Sequence, residues 1–242
     1  MRVATWNIHR GRPAFGPFRP ERIVAVLAEL DADLVALQEA QHHFDRARPM
    51  LDEAALRREA GLRVLRAVAG QQGWRANLLL ARDTVRLRAG PKPLLLGGWE
   101  PRGGLLALLD TPLGPLRVAT AHLSLTPGRR AAQAAILLEA LADDPAMPTL
   151  LLGDLNEAVT DGALSRLAPR FTLLPPAIAT FPSFAPRLAL DRVMTAPPGM
   201  IARLVAHDTR AARRASDHLP LVAELTAQGP ARSERARGAP PS

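Results

Sequence analysis

Cysteine and tyrosine are both missing from the 242 residues of this chain, and Lys92 is its single lysine. Without cysteine there is no disulfide, no zinc thiolate site and no thiol nucleophile. Aromatic residues make up only 4% of the chain. That leaves little for the wedge and groove contacts of proteins that grip duplex DNA. No apolar run reaches the roughly 18 residues that a membrane helix needs. Met1 to Trp6 run straight into strand-like sequence with no charged-then-apolar leader. A soluble, cytoplasmic protein with no stable membrane insertion is therefore expected, and no protein partner is evident.

What is present bounds the answer further. At 48% hydrophobic, the chain can bury a sizeable core. The net charge of +8 suits a phosphate-bearing partner, nucleic acid included. Nearly all of that charge is arginine in a sequence heavy in Ala, Pro, Leu and Gly, a pattern that GC-rich coding bias also produces. Arg232, Arg235 and Arg237 fall in the tail, where they describe no folded face. The charge permits an anionic substrate without identifying one.

Short Val-, Leu- and Ala-rich runs alternate with turn signals. Strands are expected over 3–8, 34–38, 77–81, 105–109, 116–122, 149–153, 190–195 and 220–225. Helices are expected over 20–30, with Pro in the first turn, over 129–142, and around 52–60. Strands outnumber helices, and many carry polar residues at one end only. Two stacked sheets with helices outside fit this better than a barrel of strand-helix units. From Ala227 the chain turns to Gly, Pro, Ser and Arg without periodicity. One domain over 1–226 and a disordered tail over 227–242 are the expected organisation.

Six apolar runs end in polar clusters, where burial without a partner is costly. They are Thr5–Gly11, Leu34–Glu39, Thr120–Ser124, Leu151–Glu157, Leu190–Val193 and Ser216–Pro220. Taken singly, each has a structural explanation: a carboxylate after a strand is usually a turn former or a cap. Asp191 followed by Arg192 would pass for a surface ion pair. For function to be absent, all six explanations must hold together.

The ordered set Trp6-Asn7-Ile8, Leu37-Gln38-Glu39, His122-Leu123, Gly153-Asp154-Leu155-Asn156, Leu190-Asp191-Arg192 and Ser216-Asp217-His218-Leu219-Pro220 resembles the endonuclease/exonuclease/phosphatase superfamily. The likeness spans about residues 2–225. Asn77 with Arg82, Arg102-Gly103-Gly104, and Arg130 with Gln133 are smaller echoes of it. The resemblance implies a DNase I-like four-layer α/β sandwich whose strand ends meet at one pocket. It implies a phosphoesterase dependent on Mg²⁺ or Mn²⁺. Glu39 would be the main metal ligand, with Asn7 beside it and Asp217 opposite. Asp154 would orient and deprotonate the attacking water, and Asn156 would position that water or bind phosphate. His218, held by Asp191, would touch the scissile phosphate, and His122 a phosphate oxygen or the leaving group. His9, Asn77 and Arg102 would contact substrate. Where abasic-site endonucleases carry an acidic residue two positions after the first Asn, this chain has His9. That leaves one or two ions open, with His9 either facing phosphate or facing solvent.

The residue types agree with that chemistry. Mg²⁺ takes carboxylate and amide oxygens and keeps several waters. A carboxylate such as Asp154 is expected to have a raised pKa in a desolvated pocket. An imidazolium beside Asp191 would stabilise charge building on phosphorus. Nucleic acid, a small phosphodiester and a phospholipid head group all stay open as substrates, as does a phosphomonoester. Trp99 and Arg102, and the stretch 15–19, are candidate rims. The reading from another class is a catalytically silent scaffold that binds nucleic acid or protein through its basic face.

Overall fold

The computed structural model describes residues 1–42, 48–98 and 102–227. Trp99, and all of the expected tail except Ala227, lie outside the described residues. Strands β1 (Arg2–Asn7), β2 (Leu34–Gln38), β3 (Arg63–Leu65), β4 (Leu78–Ala81), β10 (Ile201–Ala206) and β11 (Leu221–Leu225) form one mixed sheet. Its order is β10-β11-β1-β2-β4-β3. Strands β5 (Arg86–Gly97), β6 (Arg102–Thr111), β7 (Gly114–His122), β8 (Thr149–Asp154) and β9 (Asp191–Ala196) form the other, in chain order. Helices α1 (Glu21–Leu30) and α5 (Arg210–Ala215) cover the outer face of the first sheet. Helices α3 (Pro127–Ala140) and α4 (Gly162–Leu167) cover that of the second. The layers are helix, sheet, sheet, helix, the expected two-sheet sandwich. Among the described residues no helix is long and apolar enough to cross a membrane.

Period-2 alternation assigns each side chain to its layer. On β1, Ala4, Trp6 and Ile8 pack outward against α1, whereas Val3 joins the core between the sheets. On β2, Val35 and Leu37 face outward and Leu34 and Ala36 inward. On β7 and β8, Val118, Leu150 and Leu152 face inward, and Ala119, Ala121 and Leu151 pack under α3. Each fully buried Leu or Val contributes about 1.5–3 kcal/mol. A one-residue slip would turn every one of them to the wrong layer.

The expected strands and helices are present, with ends shifted by up to three residues. The segment expected over 52–60 is a short helix, α2 (Glu53–Ala55), running into a wider π turn over Leu56–Ala60. Asp52 caps it, accepting from the N–H groups of Ala54 and Ala55 at 2.9 and 3.3 Å. Strands β3, β5 and β10 had no expectation, and each lies at a sheet edge. Gly90, Pro91 and Pro93 interrupt β5 and read as breakers, but an edge strand with register shifts tolerates them. Helices α4 and α5 are only six residues each, too short to show a period.

Gly153 has no room for a side chain: a Cβ there would overlap the carbonyl of Ala121 on the neighbouring strand. The atoms it would meet are backbone in the parallel β7–β8 pair, which does not yield cheaply. Gly153→Ala is expected to cost about 2 kcal/mol or more, and a domain of this size loses about 2–4 °C per kcal/mol. A melting temperature unchanged by calorimetry would mean that the strand pair relaxes freely.

Candidate active site

The rows that form the core turn polar at their ends. Continuing Val118 by twos leads to Thr120 and His122, and continuing Leu150 and Leu152 leads to Asp154. Register then places His122 opposite Asp154 and Asp154 opposite Asp191. In the other sheet Val3, Thr5 and Asn7 form the same progression, paired with Leu34, Ala36 and Gln38. One layer below the site, Thr5 Oγ1 donates to Gln38 Oε1 at 3.2 Å, and Gln38 Nε2 donates to Thr120 Oγ1 at 3.3 Å. That buried polar bridge joins the two sheets directly beneath the site.

Loops complete it. Glu39 leaves β2 with φ 54° and Asn156 follows Asp154 with φ 53°. Such left-handed positions are disfavoured for non-glycine residues. Among the described residues, eight non-glycine residues have positive φ, and five of them (Arg10, Glu39, Arg75, Ala76 and Asn156) line one pocket. Backbone strain is thus concentrated where the polar side chains meet. In the last loop, Ser216 Oγ donates to the Asn7 carbonyl at 2.7 Å, and Trp6 Nε1 donates to the His218 carbonyl at 2.9 Å. Strand β1 therefore carries Asn7 and also anchors His218.

The pocket is open, about 860 Å³ in volume. Of the residues expected at the site, Asn7, Glu39, Arg102, His122, Asp154, Asn156 and His218 line it. The other four do not. Asp191 lies behind His218 and is 1% exposed. The Asp217 carboxylate stands beside His9, whose Nδ1 is 3.6 Å from its Oδ2. The His9 ring is part exposed to solvent, lies beside Asp217 and the Arg12 carbonyl at 3.2 Å, and does not line the pocket. Asn77, expected to contact substrate, is fully buried, its amide donating to the carbonyls of Arg75 and Gly103 at 3.0 and 2.9 Å. Its geometry is that of a brace, not of a ligand contact.

Asp154 is the hub. Its Oδ1 accepts from the Asn156 N–H and its Oδ2 from Asn7 Nδ2, both at 2.9 Å. Its Oδ2 also lies 3.5 Å from His122 Nε2 and 3.9 Å from His218 Nε2. The raised pKa expected for Asp154 is not found. Burial does push it upward, but the two imidazoles and the two hydrogen bonds outweigh burial and hold it below the usual carboxylate range. Burial and Arg102, whose Nη1 is 2.8 Å from both ring nitrogens, push His122 down, although Asp154 opposes this. His122 is therefore neutral near pH 7, and the cation facing Asp154 is His218. Burial opposes charge on His218 too. Asp191, hydrogen-bonded to Nδ1 at 2.8 Å, overcomes it with help from Asp154 and Asp217, and the ring is pushed up to about 10.

Among the described residues, two groups of side chains could hold a cation. Asp154, Asp191 and His218 offer one atom each within 4.8 Å of one another. In that trio, however, an imidazolium has no lone pair to give, and its Nδ1 already donates to Asp191. The second group is Glu39, Asp217 and Asn7. Burial and the Glu39 charge both raise the Asp217 pKa, His218 and His9 notwithstanding. Two carboxylates that resist each other's charge are what a hard divalent cation relieves. Asn7 Nδ2 lies 3.4 Å from Glu39 Oε1, while its amide oxygen accepts from the His9 N–H at 3.0 Å. Asn7 thus bridges Glu39 and Asp154 as a donor.

Other residues singled out in the sequence have structural tasks. Glu157 accepts from Arg130 Nε at 2.8 Å and from the N–H groups that open α4. Gln133 accepts from the Ser124 N–H at 2.8 Å. Sequence reasoning did not find Gln71, Trp74, Arg75 or Phe181 as lining residues. Phe181 packs against the His218 ring at 4.8 Å between centroids. None of these ends an apolar strand, which was the signal followed. Phe15, from the expected rim, is 82% exposed and pairs with Phe184 at 5.7 Å.

Comparisons with known proteins agree with this fold. The family model described as the Endonuclease/Exonuclease/phosphatase family matches residues 4–218. No curated protein is matched by sequence. Among solved structures, an endonuclease/exonuclease/phosphatase from Beutenbergia cavernae superposes with a TM-score of 0.72 at 24% identity, covering 95% of this chain and 72% of that one. A mannosyl-6-phosphatase from Bacteroides thetaiotaomicron gives 0.71 at 18% identity, covering 93% and 99%. TDP2 from D. rerio, complexed with a single-strand DNA product, gives 0.66 at 15% identity, covering 92% and 97%. At these identities the likeness is one of fold.

Proposed function

The chain belongs to the endonuclease/exonuclease/phosphatase family, and from that premise we propose that it hydrolyses a phosphodiester bond with Mg²⁺ or Mn²⁺. The observation that carries this reading is the buried carboxylate of Asp154, set between neutral His122 and cationic His218 beside Glu39. Glu39, with Asp217 and Asn7, would hold the cation. When bound, it neutralises phosphate charge and eases departure of the leaving oxygen. Asp154, ionised and fixed by two hydrogen bonds, orients the attacking water and takes its proton. Asn156 places the same water. His218 contributes positive charge and a proton on Nε2 to the scissile phosphate, its ring held by Asp191. His122 and Arg102 contact a phosphate oxygen or the leaving group. Nucleic acid is favoured by the net charge of +8. A phosphomonoester is the second reading, supported by Arg10 and Arg102 in the pocket wall and by the mannosyl-6-phosphatase of like fold.

The test is hydrolysis of a panel with Mg²⁺, Mn²⁺ or EDTA. It would hold abasic duplex, single-stranded DNA, RNA, a lysophospholipid, and bis-p-nitrophenyl against p-nitrophenyl phosphate. Cleavage that EDTA abolishes is expected; binding that responds to salt but not to EDTA would favour the scaffold instead. Glu39→Gln is expected to weaken Mg²⁺ and Mn²⁺ binding by roughly one to two orders of magnitude with the fold intact. Unchanged affinity by calorimetry would remove Glu39 from the ligand set.

A further inference from the structure

The residues before β4 close as a two-residue hairpin. Trp74 and Asn77 exchange both backbone hydrogen bonds at 2.8 Å, leaving Arg75 and Ala76 as the central pair with φ 43° and 61°. Two successive left-handed residues are what this mirror-image turn requires, and Asn-Gly is its usual occupant. Arginine and alanine adopt it here because the surroundings hold them. The buried Asn77 amide donates to the Arg75 carbonyl, the Ala40 N–H donates to the Ala76 carbonyl at 2.9 Å, and Trp74 Nε1 donates to the Leu94 carbonyl at 3.2 Å. The turn is thereby tied to the residue after Glu39 and to β5.

The result of that strain is the aim of one side chain. Trp74, Arg75 and Ala76 all line the pocket. The stem of Arg75 lies on Gly103 so closely that a Cβ there would be 2.7 Å from Arg75 Cβ and 3.2 Å from its Cδ. Its guanidinium carbon stands 5.5 Å from the Trp74 ring centroid, a cation–π contact. Arg75 Nε is buried with no hydrogen-bond partner in the protein. A guanidinium whose stem rests on Gly103 and whose head stands by the Trp74 ring, with an unmet donor, in a pocket for phosphoesters, is built to take an oxyanion.

We propose that the Trp74–Asn77 turn is a specificity element in which Arg75 binds a second phosphate of the substrate, next to the one that is cleaved. The inference rests on the phosphoesterase reading above and narrows its substrate class to compounds with two phosphate groups. The second phosphate has two chemical sources, the neighbouring linkage of a nucleic-acid strand or a further phosphate on a small sugar.

The experiment compares kcat/KM within matched pairs: a thymidine dinucleotide with and without a 5′-phosphate, and a sugar phosphodiester with and without an added phosphate. The wild-type protein is expected to prefer the phosphorylated member of at least one pair by about tenfold, roughly 1.4 kcal/mol, and that pair names the source. Arg75→Ala is expected to bring the ratio close to one, Arg75→Lys to restore part of it, and Gly103→Ala to lower it by displacing the Arg75 stem. The ratio does not depend on how much of a variant is folded. A wild-type ratio near one, or a ratio that survives Arg75→Ala, overturns the proposal. Should no member of either pair be cleaved, the phosphodiesterase reading is what has failed. The subsite is then judged by calorimetry with inorganic pyrophosphate: about tenfold weaker binding in Arg75→Ala supports it, and equal binding overturns it.

Discussion

Asp154→Asn is expected to lower kcat/KM on the preferred substrate by about three orders of magnitude, while circular dichroism still reports a folded chain. Loss of a positioned general base typically costs about 10²–10⁴ in rate, and here the same atom also orients the water. The substitution keeps the shape of the side chain and the carbonyl oxygen that accepts from the Asn156 N–H. It removes the negative charge that faces His218 and the lone pair that takes a proton. Because His122, His218, Asn7 and Asn156 hold its pKa down against burial, Asp154 is a weaker base than a carboxylate in an apolar pocket, but one that is ionised near neutral pH. Orientation therefore carries more of its contribution than base strength does. Activity within tenfold of wild type would take Asp154 out of this role.

The second large effect concerns His218 and its partner. His218→Ala is expected to lower stability as well as turnover. Asp191 accepts from His218 Nδ1 at 2.8 Å and from Thr180 Oγ1 at 2.6 Å, and is 1% exposed. Removing the ring strands a buried carboxylate, which costs about 3–5 kcal/mol, or about 10 °C in melting temperature at this chain length. The linkage has a definite sign. The folded pKa, about 10, lies above the unfolded value of 6.5. Its stabilising contribution is thus complete below pH 6.5 and fades as pH rises through about 10. The metal-free protein should therefore lose stability across that window, and His218→Gln should lack that part of the loss. The composition makes the experiment clean, since the chain has no cysteine, no tyrosine and one lysine. Equal pH dependence in both proteins would show that the His218–Asp191 pair is not charged as described.

The strand-end signal found the hub because its cause is local. A core row that turns polar at its last residue is visible in one dimension, as in Val118, Thr120, His122 and in Leu150, Leu152, Asp154. The same signal failed where the cause is not local. Asn77 ends no strand, and its amide braces a turn. His9 was left between phosphate and solvent because its neighbour, Asp217, is more than 200 residues away in the chain. Strands β3, β5 and β10 went unread since an edge strand needs no apolar pattern and tolerates Gly and Pro. The Asp154 pKa was misjudged for the same reason: burial could be foreseen, but three of its four opposing partners, Asn7, His122 and His218, come from three other segments of the chain.

What the sequence determined by itself was the two-sheet class, most of the strands, and the polar residues at strand ends, seven of which line one pocket. Only the tertiary structure decided the protonation pattern, with His122 neutral, His218 cationic and Asp154 ionised, and the arginine and tryptophan that complete the pocket wall. Alternation and turn chemistry act between near neighbours in the chain and can be read along it. Charge, desolvation and pocket shape act through space at a few ångströms, among residues that only the register of the two sheets brings together.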